Sequence, residues 1–150
     1  MIKIIIFSDS YKHFYDGIKE YKKRLWKSIN LLTLKPSKNK NINDIIKDET
    51  NLLKEKLIKD NWYKILLLIE WNNMSTIDFK KLVENNIMKY WNVTFIIWWA
   101  YGINFDEIKS KINFTLSLWK MTFPHSMSLL LLLEQIYRIK MIEKWSWYHH

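Results

Sequence analysis

Short runs of isoleucine and leucine alternate along the chain with stretches whose apolar residues recur every three or four positions. Residues 3–7 (KIIIF) are too short for a helix and rich in isoleucine, so they read as a buried strand. Phe14, Ile18, Tyr21 and Leu25 then fall at i, i+4, i+7 and i+11, one face of a helix. A second run, residues 29–34, stops at Lys35-Pro36, because proline has no N–H to give a sheet ladder. Residues 35–41 (KPSKNKN) form a polar, basic loop, the only linker-like stretch. From Asp44 to Asp60 helical spacing turns Ile45, Ile46, Leu52, Leu53 and Leu57 inward. Residues 64–69 (KILLLI) are nearly continuously apolar, as a central parallel strand is. Ser75-Thr76-Ile77-Asp78 is a capping-box variant opening a helix with Phe79, Leu82, Val83 and Ile87 on one face. Residues 93–97 predict another strand. Asn104, with Glu107 three positions on, caps a short helix carrying Ile108 and Ile112. Residues 115–118 read as a last short strand, and Pro124, at a first helical position, starts a helix reaching about Ile142.

Strands alternating with helices predict an α/β fold, a mostly parallel sheet with helices on both faces. One domain over residues 1–150 suffices: the length buries a core unaided, and no internal repeat is visible. Strand order is not readable from periodicity. The last helix is apolar nearly all round at its start, Leu129 to Leu133, so it must be enclosed on several sides. Such a helix is either threaded into its own fold or packed in a dimer.

Composition narrows the chemistry. With 49% apolar and 26% charged residues, wholesale disorder is excluded. No cysteine is present, which removes disulfides, thiolate metal sites and cysteine nucleophiles together. No apolar run approaches the roughly 20 residues of a membrane span. The apolar start is too short for a signal peptide and lacks a cleavage pattern. A soluble, cytoplasmic protein with no membrane partner is expected. Twenty-four basic against fifteen acidic residues give a net charge of +9, which makes a polyanion a candidate partner. Nearly all of that charge is lysine, Arg24 and Arg138 being the exceptions, and a Lys-, Asn- and Ile-rich chain is also what an AT-rich genome writes. The histidines, His13, His125, His149 and His150, have no metal-ligand spacing, and no metal is expected. Phosphate-cradling glycine loops and the Gly-x-Ser-x-Gly elbow are absent.

One count is out of line. Glycine occurs twice and tryptophan nine times, where average usage of about 7% predicts roughly ten glycines.

The last third carries a motif. Lys120-Met121-Thr122-Phe123-Pro124-His125 joins a strand to a helix that continues through Leu132-Leu133-Glu134-Gln135-Ile136-Tyr137-Arg138 and ends on Tyr148-His149-His150. This pattern resembles the C-terminal signature of the bacterial large-subunit rRNA methyltransferase H family of the SPOUT superfamily. The likeness runs along nearly the whole chain. Residues 3–7 resemble the family's first strand, and Glu20-Tyr21-Lys22-Lys23-Arg24-Leu25 its EYxKRL. Residues 67–70 followed by Met74-Ser75-Thr76 resemble its strand and LSS helix start, and Phe95-Ile96-Ile97 with Gly102 its FVIGGxxG turn. Each match alone is weak; six in order at the right spacing are not.

The resemblance implies a trefoil-knotted domain whose C-terminal helix is tucked through a loop, working as a homodimer. It implies S-adenosyl-L-methionine as cofactor and methylation of N3 of a pseudouridine in a large-subunit rRNA hairpin loop, on rRNA or the ribosome. The cofactor would lie against Leu67, the turn at Trp98, and Leu118, Trp119, Lys120, Met121, Thr122 and Phe123, held more by backbone path than by side chains. For Leu67 and Leu118, plain core packing is the alternative. RNA would meet Arg138, Tyr148 and His149. Arg138 could pair with a phosphate or simply with Glu134 one helical turn back. Tyr148 could stack on the target base, and His149 could take the imide proton.

The chain departs from that pattern at its tryptophans. The two glycines of FVIGG read Trp98-Trp99 here, and Trp71, Trp91 and Trp145 also fall where the family favours glycine. Bulky neighbours in a turn that wraps a ligand should overpack it. Glycine in the living cell, from UGA codons read there as glycine, accounts for the pattern. The alternative is a diverged chain with real tryptophans, a knotted RNA-binding or ribosome-associated module whose pocket is filled by Trp98 and Trp99. Leu129 stands where the family carries arginine, removing a cation expected near RNA or the dimer seam.

Overall fold

The computed structural model describes residues 1–58, 61–98 and 102–144. Five strands form one sheet in the order β2-β1-β4-β3-β5, every neighbouring pair parallel. They are β1 (Ile2–Phe7), β2 (Ile29–Leu34), β3 (Tyr63–Asn72), β4 (Val93–Ile97) and β5 (Phe114–Leu116). The helices are α1 (Tyr15–Arg24), α2 (Ile42–Ile58), α3 (Thr76–Tyr90), the single turn α4 (Phe105–Ile108) and α5 (His125–Lys144). The predicted α/β class and parallel sheet are therefore what the chain adopts.

Burial follows the apolar pattern. All of β4 is buried and β1 nearly so, as befits strands covered on both faces. One core cluster joins Ile4, Ile6, Phe95 and Ile97 to Ile18 of α1, Phe79 and Val83 of α3, and Leu129, Leu132, Leu133, Ile136 and Ile139 of α5. The other, on the opposite face, joins Ile5, Phe7, Leu66 and Ile96 to Leu53 and Leu57 of α2 and to Ile108. Alternate strand residues thus serve alternate layers. α5 lies against α1, α3, β1 and β4, which is why its apolar residues extend around so much of its circumference.

Several local expectations are corrected. β3 runs on to Asn72, where Ser117 N–H donates to the Asn72 carbonyl at 3.1 Å, and β5 ends at Leu116 instead of Leu118. Pro124 is the residue before α5: its carbonyl accepts from Ser128 N–H at 2.9 Å, so it caps the helix that His125 begins. Ser75 caps α3 as predicted, its Oγ accepting from Asp78 N–H at 3.1 Å. Asn104 does not cap α4 through its side chain; its amide donates to Glu107 Oε1 at 2.8 Å instead. Leu129, at the position where the resembled family carries arginine, is wholly buried in the core of this chain, whereas Leu130 and Leu131 are half-buried. Among the described residues no helix is long and apolar enough to cross a membrane.

Candidate active site

In a parallel sheet the connections leave crevices at the carboxyl ends of the strands, where ligands bind. Here β3, β4 and the segment joining β5 to α5 end together around a cavity of about 550 Å³, lined by Leu67, Leu68, Ile97, Trp98, Gly102, Leu118, Trp119, Met121, Thr122, Phe123, Pro124, His125 and Ser128. That is within the range of small-molecule sites, about 300–1,000 Å³. Every cofactor residue expected from the sequence lines it except Lys120, whose side chain points to solvent. Leu68, Ile97, Gly102, Pro124, His125 and Ser128 were not foreseen as lining residues. Their signal was position: Leu68 and Ile97 adjoin the expected Leu67 and Trp98, and Pro124, His125 and Ser128 continue the expected loop into the start of α5.

The wall is fixed by short hydrogen bonds. Ser117, buried at the end of β5, donates through Oγ to the Trp119 carbonyl at 2.8 Å and so folds the loop over. The Trp119 and Met121 side chains are exposed, which leaves the backbone of this loop to shape the cavity. On the far side Ser8, buried just after β1, reaches His125 Nε2 at 3.3 Å. Burial lowers the His125 pKa from its ordinary value, and the Asp9 carboxylate partly opposes this.

Trp98 sits at the end of β4 with its ring centroid 5.1 Å from that of Phe7. Its Nε1 is buried without a hydrogen-bond partner, and the residue is one of those lining the cavity. An unpartnered buried donor of this kind costs about 1–3 kcal/mol. A second cavity of about 350 Å³ adjoins the first, sharing Leu118, Trp119 and Phe123 and continuing to Thr76 and Gln135.

Among the residues expected to meet RNA, Arg138 is engaged within its own helix: Nη2 lies 2.7 Å and Nε 2.9 Å from Glu134 Oε1. Tyr148 and His149 lie outside the described residues, as do Trp99 and Trp145. Trp71 falls in β3 at a position whose side chain is not described. Trp91 is described fully. It ends α3 in the left-handed region, φ 65°, its N–H donating to the Ile87 carbonyl at 2.8 Å.

Curated relatives match the chain along most of its length. A protein of Caldicellulosiruptor saccharolyticus is 32% identical over 155 residues covering 99% of each chain. One of Dictyoglomus thermophilum is 37% identical over 154 residues, again 99% of each. One of Clostridium perfringens is 33% identical over 146 residues, 92% of this chain and 91% of the relative. All three are named ribosomal RNA large subunit methyltransferase H. The family described as predicted SPOUT methyltransferase matches residues 1–149. With a parallel α/β sheet, a ligand-sized cavity at its carboxyl edge and this near-complete match, the chain belongs to the SPOUT methyltransferase family.

Proposed function

We propose that this protein is an S-adenosyl-L-methionine-dependent methyltransferase acting on N3 of a pseudouridine in a large-subunit rRNA hairpin loop. The observation that carries the reading is the cavity enclosed by Leu67, Trp98, Leu118 and residues 119–123, formed by strand ends and a backbone-lined loop. Its size and mixed character fit an adenosyl group: apolar walls at Leu67, Leu118 and Phe123, with backbone polar groups along the loop. S-adenosylmethionine supplies an already electrophilic methyl group, so little covalent catalysis is asked of the protein. The chain's work is alignment and exclusion of water. Phe123 and Leu118 cover the apolar side, Ser117 fixes the loop through the Trp119 carbonyl, and Ser8 contacts His125 at the start of α5. Arg138 and surface lysines would meet phosphate, giving salt-dependent affinity. Tyr148 would stack on the target base and His149 would accept the imide proton. The family reading further implies a knotted domain that pairs as a homodimer, with RNA read across the seam in the cytoplasm.

The second reading is a knotted RNA-binding or ribosome-associated module without full activity. It is favoured by Trp98, a bulky residue lining the cavity, its ring packed 5.1 Å from that of Phe7. One experiment separates the two. Undermethylated ribosomes or rRNA carrying the pseudouridine are incubated with protein and methyl-labelled cofactor, and the nucleosides are resolved by mass spectrometry. N3-methylpseudouridine is the expected product. Binding of rRNA with no methyl transfer supports the second reading, and transfer to any other atom overturns the first.

A further inference from the structure

Tryptophan is large and on average well buried, yet three of the tryptophans here are among the most exposed side chains. Trp26 is 74%, Trp91 81% and Trp119 60% exposed. They do not compose one sticky face. Trp26 and Trp91 precede the N-terminal ends of β2 and β4, whereas Trp119 follows the C-terminal end of β5, at the opposite edge of the parallel sheet.

Their backbone settings are those of tight turns. Trp91 holds φ 65° at the end of α3, the left-handed terminal position that glycine fills because it has no Cβ. For a bulky side chain that conformation is an outlier. Trp26 lies in the reversal between α1 and β2, where the left-handed residue is its neighbour Lys27, φ 67°, so what marks position 26 is its exposure in the turn and not its own φ. Trp119 occupies the turn that Ser117 closes. Trp98 completes the set from inside, its Nε1 buried and unpartnered at the cavity. Trp62 is the contrast: half-buried, with the Lys3 ammonium 5.3 Å from its ring centroid. It has the environment of a selected aromatic residue.

We infer that positions 26, 91, 98 and 119 carry glycine in the protein its own cell makes, the UGA codon being read there as glycine, and that glycine at 98 opens the cavity. This draws together two facts under one cause: tryptophans in turns and a chain of 150 residues holding two glycines. The same replacement at Trp71, Trp99 and Trp145 brings glycine near the roughly ten of an average chain. The enlarged cavity rests on the methyltransferase reading; the identity of the residues does not.

The test has three arms. Coding DNA should show UGA at 26, 91, 98 and 119, and UGG at Trp62; UGG at 91 and 98 overturns the inference. Peptides of the protein purified from its source cell should carry glycine masses at these positions, and tryptophan masses overturn it whatever the codons. Recombinant protein as written is then compared with Trp91→Gly and Trp98→Gly. Trp91→Gly should melt higher and Trp62→Gly lower; a Trp91→Gly protein that melts no higher contradicts the turn argument. Calorimetry should find S-adenosylmethionine bound at least about tenfold tighter after Trp98→Gly, since a ligand-sized wall is freed. Glycine peptides without that gain uphold the residue assignment and overturn the opened cavity; the cofactor reading, which rests on the cavity as it stands, is decided by the methyl-transfer assay.

Discussion

Ser8 Oγ lies 3.3 Å from His125 Nε2, a contact between residues 117 positions apart that ties the end of β1 to the start of α5. The same hydroxyl donates to the Ser10 carbonyl at 3.1 Å. A serine has one proton to give, so Nε2–H must be the donor to Ser8. Ser8→Ala should cost about 0.5–1.5 kcal/mol of stability, read by urea unfolding, and should loosen cofactor binding more than RNA binding. Equal stability would mean that the contact is incidental.

The same pair predicts a pH dependence. Burial holds His125 below its ordinary value of 6.5, so the unfolded chain binds the proton more readily than the native one. Stability from this source is complete above that value and declines as pH falls below it toward the native pKa. Unfolding free energy should therefore drop on mild acidification, and His125→Gln should flatten the drop. An unchanged slope in the variant would assign the effect to other groups.

Glu49 gives the opposite sign. It is 1% exposed, its Oε1 accepts from Ser37 N–H at 3.0 Å, and its Oε2 has no partner. Burial raises its pKa above 4.5, and the Asp48 and Asp9 carboxylates push it the same way. The native state thus favours the protonated acid, and stability is lost as pH rises from 4.5 through the native value. Glu49→Gln keeps the acceptor for Ser37 and removes the charge. A gain of about 1 kcal/mol at neutral pH is expected, the low end of what an unpartnered buried polar atom costs. A lower melting temperature would show that the carboxylate is needed ionised.

Ser75 tests helix initiation at the edge of the second cavity. Its Oγ accepts from Asp78 N–H at 3.1 Å and donates to Asp78 Oδ2 at 2.7 Å. Ser75→Ala should cost about 1 kcal/mol, and Ser75→Asp should recover most of it. No loss in the alanine variant would show that α3 is held by packing of Phe79 and Val83 alone.

What could be read from the sequence divides along physical lines. β2 and β4 have the bounds their apolar runs predict: Pro36 follows close on the first, and the second is buried along its whole length. β3 outran its prediction because Asn72 pairs across the sheet with Leu116, which no local pattern encodes. Asn104 has a capping residue's identity but spends its amide on Glu107. The cavity was legible through likeness to a family and not through periodicity, since a backbone path lines it. His125 escaped notice as a lining residue because its partner, Ser8, is distant in sequence and neighbouring only in the fold.

The last prediction separates an enzyme from a binder through the C-terminal segment. The cavity's lining residues end at Ser128, whereas Tyr148 and His149 follow α5, which closes at Lys144. Deleting residues 147–150 should therefore abolish methyl transfer and leave S-adenosylmethionine affinity nearly intact. Tyr148→Phe should keep much of the rate if the ring stacks on the base, because its π-face survives. His149→Ala should slow transfer about 10²–10⁴-fold if the imidazole accepts the imide proton, and the rate should then depend on pH through that group. A loss confined to RNA affinity, with turnover unchanged at saturating RNA, would make His149 a phosphate contact. A truncated protein that transfers methyl at the full rate would remove both residues from the site and return the proton's acceptor to the cavity side, which His125 lines.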